Sequence, residues 1–226
     1  TNILSGVDLI HKKLGKDAYA FTAPLVTDAT GKKFGKSEGN AVWLDATKTS
    51  PFQFYQFWIN LSDAGIENYL KMYTFLPPVE IAALMELHAR NPSERQAQET
   101  LARLVTETVH GPAATAQAAA ATDALFGDTP FNELSREALA VALAEAPSVT
   151  LSKKDVADGS PLADALVTGG LASSKSDARR LIAGKGITLS DQTIENPDQK
   201  IFLGDLSNGY ALVRKGKQGV LVLVLK

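Results

Sequence analysis

The chain contains no cysteine, and its three histidines, His11, His88 and His110, lie far apart in the sequence. Without cysteine there can be no disulfide framework, no cysteine-ligated zinc and no cysteine nucleophile. Zinc-binding histidines usually occur in pairs at short spacing, and the sequence has no such pair. We therefore expect neither a protein-bound metal nor a prosthetic group in this chain.

Long apolar runs are also missing. The longest, Val220 to Leu225, is short and β-branched, which suits a buried strand, whereas a membrane helix needs about 20 apolar residues. No secretory signal opens the chain, so we expect a cytoplasmic protein with no membrane partner. Residues 1–10 already have the pattern of structured chain without an initiator methionine, which predicts a fragment of a longer protein.

The formal net charge of −2 conceals an asymmetry between the two ends of the chain. From Thr150 onward, eleven Lys and Arg residues outnumber eight Asp and Glu residues. The preceding part has twelve basic and seventeen acidic residues. A basic tail on an acidic body indicates a polyanionic partner at the carboxyl-terminal end.

The first 47 residues have a mixed pattern. An apolar helix start precedes a strand-like run at 19–22, a loop rich in Gly and Lys, and a short apolar strand predicted at 41–44. This order is typical of the end of an α/β unit that lacks most of its sheet.

Residues 48–147 predict a compact helical domain. Ser50, Asp63 and Ser135 are candidate helix caps, and the dipeptide His110-Gly111 predicts the end of one helix before an Ala-rich one. Aromatic and apolar residues recur at helical spacing after Ser50, which favours a buried stripe over an exposed stacking surface. The members of this stripe are Phe54, Trp58 and Leu61.

The pattern changes again after the helical segment. Residues 148–159, rich in Ser, Lys, Asp and Gly, predict a linker. Residues 160–226 predict a small α+β domain that contains a helix starting at Ser174 and a terminal hairpin around Gly216.

The most informative stretch is the loop at residues 28–40. Three lysines lie within five positions and alternate with glycines, so their charges repel one another while the backbone can take many conformations. Such a loop fits an anion that carries several charges. The residues concerned are Gly31, Lys32, Lys33, Gly35, Lys36 and Gly39.

Two other interpretations of this loop are available. A phosphate-binding P-loop needs one more residue between Gly31 and Gly35 and an apolar helix after Ser37, and neither is present. A solvated surface turn is compatible with composition alone, since charge runs are usually solvated.

The motifs favour the anion-binding loop over these two interpretations. The run from Lys33 to Ser37 resembles the KMSKS signature of class I aminoacyl-tRNA synthetases, and the run from Gly31 to Asp45 is similar to the form found in bacterial tyrosyl-tRNA synthetases. Residues 2–10 are similar to the segment that follows that family's substrate-binding Asp-x-x-Trp-Gly stretch, although Thr1 stands where the family has Gly.

This resemblance implies an ATP-dependent ligase. It assigns catalysis to Lys33, Lys36 and Ser37, with Lys36 as the main ATP-phosphate contact and Lys33 and the Gly35 amide as further contacts. Ammonium groups of this kind can bind the charge that grows on departing pyrophosphate more strongly than they bind ATP itself. The substrates it implies are tyrosine, tyrosine tRNA and ATP with Mg²⁺.

A second constellation lies in the basic tail. Within residues 174–187, apolar positions form one helix face, and basic side chains lie elsewhere on the helix, where they can contact a phosphate backbone. The pattern resembles the helix-turn-strand core of the S-four-type RNA-binding domain that tyrosyl-tRNA synthetases carry at the carboxyl terminus. The candidate RNA-binding residues are Lys175, Arg179, Arg180 and Lys185, followed by Arg214, Lys215 and Lys217 on the hairpin.

Together these observations predict an α+β multidomain chain. Its parts are the carboxyl-terminal end of a Rossmann-like class I synthetase catalytic domain (1–47), a helical anticodon-region domain (48–147), a linker (148–159) and an S-four-type RNA-binding domain (160–226). The resemblance implies a homodimeric parent enzyme. Because the family's HIGH signature is absent from the sequence, we expect the chain alone to be inactive in amino-acid activation. The alternative is a non-catalytic RNA-binding protein derived from a synthetase.

Overall fold

The computed structural model describes residues 2–22, 42–127, 129–130, 133–216 and 219–226. The chain divides into two compact units, residues 1–41 and residues 42–226. Among the described residues, no helix combines the length and the apolar character that crossing a membrane requires.

The described part of the first unit contains helix α1 (Asn2–Leu14), which confirms the predicted helix start. All thirteen residues of α1 are described and none of them is buried, so apolar side chains such as Leu4 and Leu9 face solvent. Residues 15–22 have no regular secondary structure, and the strand predicted at 19–22 is therefore wrong. A strand needs a hydrogen-bonded neighbour, and Tyr19 and Phe21 are almost fully exposed here.

The second unit begins with a helical part. Residues 42–44 form no strand, contrary to the sequence prediction. The helices that follow are α2 (Pro51–Ile59), α3 (Ile66–Tyr73), α4 (Pro78–Arg90), a 3-10 turn (Pro92–Glu94), α5 (Gln96–Phe126) and α6 (Arg136–Glu145).

Capping residues determine where two of these helices begin. Ser50 Oγ accepts from the Gln53 amide and the Gln53 side chain accepts from the Ser50 amide, a reciprocal capping box. Ser135 accepts from the Ala138 amide at the start of α6. Both caps were predicted. The Asp63 cap was not confirmed, because α3 begins after Gly65 and the Asp63 carboxylate accepts instead from Gln98 and lies beside His88.

Two members of the predicted stripe pack inward from α2, but the third, Leu61, lies beyond the end of that helix and is only half-buried. Phe54 and Trp58 are buried, their rings meet edge to face at 6.0 Å, and His110 lies 4.9 Å from Phe54. Helix α5 is interrupted at Gly111, whose backbone angles (φ 82°, ψ 166°) are non-helical. The break confirms the predicted helix end at His110, and Pro112 begins the following stretch, where proline is favoured.

The carboxyl-terminal part contains short helices and seven strands among its described residues. The elements are β1 (Ser148–Leu151), α7 (Lys153–Asp158), β2 (Ser160–Pro161), α8 (Leu162–Thr168), α9 (Lys175–Ala183), β3 (Ile187–Leu189), β4 (Gln192–Thr193), β5 (Lys200–Ile201), a 3-10 turn (Leu203–Asp205), β6 (Tyr210–Lys215) and β7 (Gly219–Leu225). Five strands form a sheet of order β1-β7-β6-β3-β4, with β1 parallel to β7 and the other pairs antiparallel. A two-stranded sheet pairs β2 with β5.

The segment predicted as a linker, residues 148–159, forms part of this structure. Val149 and Leu151 on β1 are buried against the sheet, and Ser152 caps α7 with a reciprocal bond to Asp155. The sequence prediction failed here because β1 is completed by β7, which is more than 70 residues away and cannot be read from local composition.

Helices α8 and α9 and the sheet share one apolar core, which includes the fully buried side chains Leu166, Ile182, Ile187 and Leu221. The predicted terminal hairpin is present, with β6 and β7 in antiparallel register from Tyr210↔Val224 to Lys215↔Gly219. This core holds α9 with its polar face toward solvent.

Candidate nucleic-acid interface

The lysine loop lies outside the described residues. Lys33, Gly35, Lys36 and Ser37 therefore stay predictions from the sequence. The described residues that follow the loop form a short connection in which Lys48 Nζ lies 4.5 Å from the Trp43 ring centre.

Helix α9 positions the second predicted site. Ser174 Oγ accepts from the Asp177 amide at 3.1 Å and caps the helix at the predicted residue. Ala178 and Ile182 are buried one turn apart, and these two contacts fix the rotation of the helix about its axis. Basic residues at other positions of the helix are consequently directed to solvent.

All four predicted RNA-binding side chains lie on or just after α9, and each is more than half exposed. Lys175, Arg179 and Arg180 are on the helix. Lys185 lies in the turn after it with a left-handed backbone (φ 57°), which lets its amide and that of Gly186 bond the last carbonyls of the helix. The structure thus places four exposed cations along α9 and in the turn that follows it.

Each of the four cations also has a carboxylate partner. The pairs are Lys175 with Asp164 at 2.8 Å, Arg179 with Asp198 at 3.1 Å, Arg180 with Asp177 at 2.8 Å, and Lys185 with Glu195 at 2.7 Å. Sequence reasoning identified the cations but did not find Asp164, Asp198 and Glu195 as their partners. Asp164 belongs to α8, whereas Glu195 and Asp198 belong to the β4–β5 connection. Only the tertiary fold places these three carboxylates beside α9.

Asp177 differs from the other three carboxylates. It accepts from the Ser173 amide and hydroxyl, both at 3.0 Å, as well as from Arg180. The Ser173 backbone hydrogen bond, then the bonds from Arg180 and the Ser173 hydroxyl, lower the pKa of Asp177 to about 2. Asp177 is thus a structural cap of α9 whose charge is fixed by hydrogen bonds.

The hairpin candidates are used differently from the α9 residues. Arg214 pairs with Asp191 at 2.9 Å, and its Nη2 donates to the carbonyls of Ala124 and Gly127 at the end of α5. Lys215 donates to the Leu171 carbonyl at 2.9 Å. Arg214 therefore joins the carboxyl-terminal part to the helical part, and its contacts argue against the predicted RNA contact. Lys217 lies outside the described residues.

A cleft of about 570 Å³ opens beside this junction. It begins at the turn after α9 and is lined by Lys185, Gly186, Thr188, Asp191, Arg214 and Gly216. Its two cations are the ones already paired with Glu195 and Asp191. Among the described residues, no group of three or more His, Asp or Glu side chains is arranged to hold a metal ion.

Two protein-family models match this chain. Residues 1–127 match the tRNA synthetases class I (W and Y), and residues 138–223 match the tyrosine–tRNA ligase SYY-like carboxyl-terminal domain. The chain belongs to the class I tRNA synthetase family. The second match covers both α9 and its carboxylate partners, and it begins well before the predicted domain start at residue 160.

Curated relatives in this synthetase family extend the match over nearly the whole chain. This chain is 45% identical over 218 residues to a tyrosine–tRNA ligase of Anaeromyxobacter dehalogenans, and the alignment covers 96% of this chain and 52% of the relative. It is 46% identical over 219 residues to that of Roseiflexus castenholzii, covering 96% and 51%. The chain thus spans about half the length of the curated relatives it matches.

Among solved structures, a carboxyl-terminally truncated mitochondrial tyrosyl-tRNA synthetase of Coccidioides posadasii is 38% identical, with a TM-score of 0.45. The alignment covers 52% of this chain and 35% of that one.

Proposed function

We propose that this chain is the carboxyl-terminal half of a cytoplasmic, homodimeric tyrosyl-tRNA synthetase. The enzyme would form tyrosyl-adenylate from tyrosine and ATP and transfer the tyrosyl group to tyrosine tRNA. The observation that carries the proposal is identity of about 45% to tyrosine–tRNA ligases over 96% of the chain. The match to a tyrosine-specific carboxyl-terminal domain favours tyrosine over tryptophan.

The proposed division of labour follows the order of the chain. Residues 1–47 would complete a Rossmann-like catalytic domain, residues 48–147 would form the helical domain near the anticodon, and the remainder an S-four-type RNA-binding domain. That last domain would begin at about Ser148, not at residue 160, because β1 is paired with β7 in its sheet.

In the first step, the α-phosphate of ATP is attacked by the tyrosine carboxylate while pyrophosphate departs with growing negative charge. The Lys36 and Lys33 ammonium groups would bind that charge, and the Gly35 amide and Ser37 hydroxyl would donate to phosphate oxygens. Mg²⁺ enters with ATP as part of the substrate. Interactions that strengthen in this way during the reaction raise the rate of the chemical step.

In the second step, the carboxyl-terminal domain would hold the tRNA. Lys175, Arg179, Arg180 and Lys185 are exposed on or just after α9 and can neutralise phosphates. Most of their contacts would be independent of sequence, so this surface would add affinity and leave tRNA selection to other residues.

ATP–pyrophosphate exchange tests the proposal in a protein that joins this chain to the amino-terminal half its relatives have. We expect exchange with tyrosine alone among the standard amino acids. Lys36→Ala should lower the rate by about 10- to 1000-fold, the scale of one preorganised donor. Lys32→Ala removes the same charge from the same loop outside the motif positions and should stay close to the parent rate.

Two outcomes would contradict the proposal. An unchanged rate in Lys36→Ala would remove that residue from the chemistry. No exchange with any amino acid, with tRNA binding intact, would favour the alternative of a non-catalytic RNA-binding protein.

A further inference from the structure

The connection between β4 and β5 runs along α9 and brings two carboxylates to its cations. Glu195 pairs with Lys185, and Asp198, three residues later, pairs with Arg179. Backbone hydrogen bonds hold both ends of the connection, from the Ile194 amide to the Ile187 carbonyl and from the Leu162 amide to the Gln199 carbonyl. The two carboxylates are therefore presented to α9 by a connection that is itself part of the fold.

These two ion pairs are exposed, and exposed pairs are weak. The side chains of Glu195 and Asp198 are 64% and 75% exposed, and they have no role as helix caps. Breaking an exposed ion pair of this kind changes an equilibrium constant by about two- to five-fold. A phosphate group can replace such a carboxylate, and the lost pair then subtracts from the RNA affinity.

Asp177 provides the contrast within the same surface. Its carboxylate is also bonded to Ser173 and caps α9, so removing it would disturb the helix. Asp198 makes its bond to Arg179 through the side chain alone, while its amide donates to the Asn196 side chain. Neutralising Asp198 should thus free Arg179 without altering the fold.

We infer that Asp198 and Glu195 compete with RNA phosphates for Arg179 and Lys185, and so set the RNA affinity of this domain below what its cations could reach. The inference rests on the proposed function, because it takes this face of α9 to be the RNA-binding surface. In this arrangement Asp198 and Glu195 limit the RNA affinity although neither contacts RNA. Weak, reversible binding at this surface would let charged tRNA leave after each cycle.

The test compares Asp198→Asn with Asp158→Asn in the full chain, using a tyrosine tRNA transcript and filter binding at several KCl concentrations. Both changes remove one negative charge from the same domain, but Asp158 is an exposed residue at the end of α7. We expect Asp198→Asn to lower Kd by about two- to five-fold and Asp158→Asn to lower it clearly less. Glu195→Gln should act like Asp198→Asn.

The Arg179→Gln background separates competition from general charge effects. There, adding Asp198→Asn should change Kd no more than Asp158→Asn does, because the contested cation is gone. Equal effects of Asp198→Asn and Asp158→Asn in the parent background would overturn the inference while leaving the proposed function intact. If Arg179→Gln does not weaken tRNA binding, or the chain binds no tRNA, the proposed RNA surface and the inference both fail.

Discussion

At the scale of single residues, the carboxyl-terminal domain uses acidic groups in two ways. Asp177 is built into a helix cap, whereas Asp164, Glu195 and Asp198 meet exposed cations through their side chains alone. Asp177 is three residues from Arg180 in the sequence, whereas the other three carboxylates are ten or more residues from their cations. Composition alone therefore predicts only a diluted positive charge. The hydrogen bonds in the folded chain separate the structural carboxylate from those that RNA could replace.

Asp177 has a consequence for acid stability. Its pKa is about 2 in the folded chain, below the usual value of about 3.9 in an unfolded one. A lowered folded pKa means that the stability Asp177 contributes is fully present above about pH 4 and is lost as the pH falls through about 2. We expect Asp177→Asn to have a lower urea midpoint than the parent at pH 7, with the two converging by pH 2.

Far-UV circular dichroism of urea unfolding between pH 2 and pH 7 measures this convergence. Asp158→Asn removes one negative charge outside the cap of α9 and is the matched control. A difference between Asp177→Asn and the parent that stays constant across this range would mean that the carboxylate charge does not stabilise the helix start.

At the scale of helices and strands, the sequence predicted the features that depend on residues close together in the chain. The starts of α2, α6 and α9 follow from Ser50, Ser135 and Ser174, because a cap and the amides it binds are within three residues of each other. Strand β1 was missed and the strand at 19–22 was wrongly predicted, because strand formation depends on pairing partners that can be distant in the chain. The same limit explains why the sequence did not predict the carboxylates that pair with the candidate cations.

The break in α5 is a further local feature with a measurable cost. Gly111 has backbone angles that are essentially restricted to glycine, and a β-carbon there would meet no atom within 4 Å. Gly111→Ala should therefore destabilise the helical part through backbone strain alone, by about 1–3 kcal/mol. Gly204 also has free space around it but lacks a positive φ, so Gly204→Ala should be nearly neutral.

Chemical denaturation of the two variants makes the comparison. Equal stability of Gly111→Ala and the parent would show that α5 can continue through residue 111 without strain, and that the break is not needed for packing α5 against α2.

At the scale of the whole second unit, Arg214 connects the helical and carboxyl-terminal parts. Its guanidinium bonds two carbonyls at the end of α5, where the helix carries partial negative charge, and Asp191 on its own side. Arg214→Ala should lower the free energy of unfolding by about 1.5–3 kcal/mol, the range for hydrogen bonds to a charged group. Arg90→Ala, at an exposed position on α4, should change it far less.

Salt dependence distinguishes this role from an RNA contact. If Arg214 serves the junction, the slope of log K against log salt for tRNA binding should be the same in Arg214→Ala and the parent. Loss of one phosphate contact would instead reduce the slope by about 0.7 to 0.9, and that result would restore Arg214 to the RNA-binding set.

At the scale of the whole chain, the proposed division of the enzyme implies that activation also needs the amino-terminal half that the relatives have. The lysine loop is proposed to stabilise departing pyrophosphate. The HIGH signature is absent from the sequence, and α1 exposes apolar side chains such as Leu4, Leu9 and Leu14. We expect the purified chain to bind tyrosine tRNA yet to show no ATP–pyrophosphate exchange with tyrosine. Adding a separately produced amino-terminal half of a relative should restore exchange, and the Lys36→Ala chain should restore far less. Exchange by the chain alone would mean that residues 1–226 hold a complete activation site, contrary to the proposed division of the enzyme.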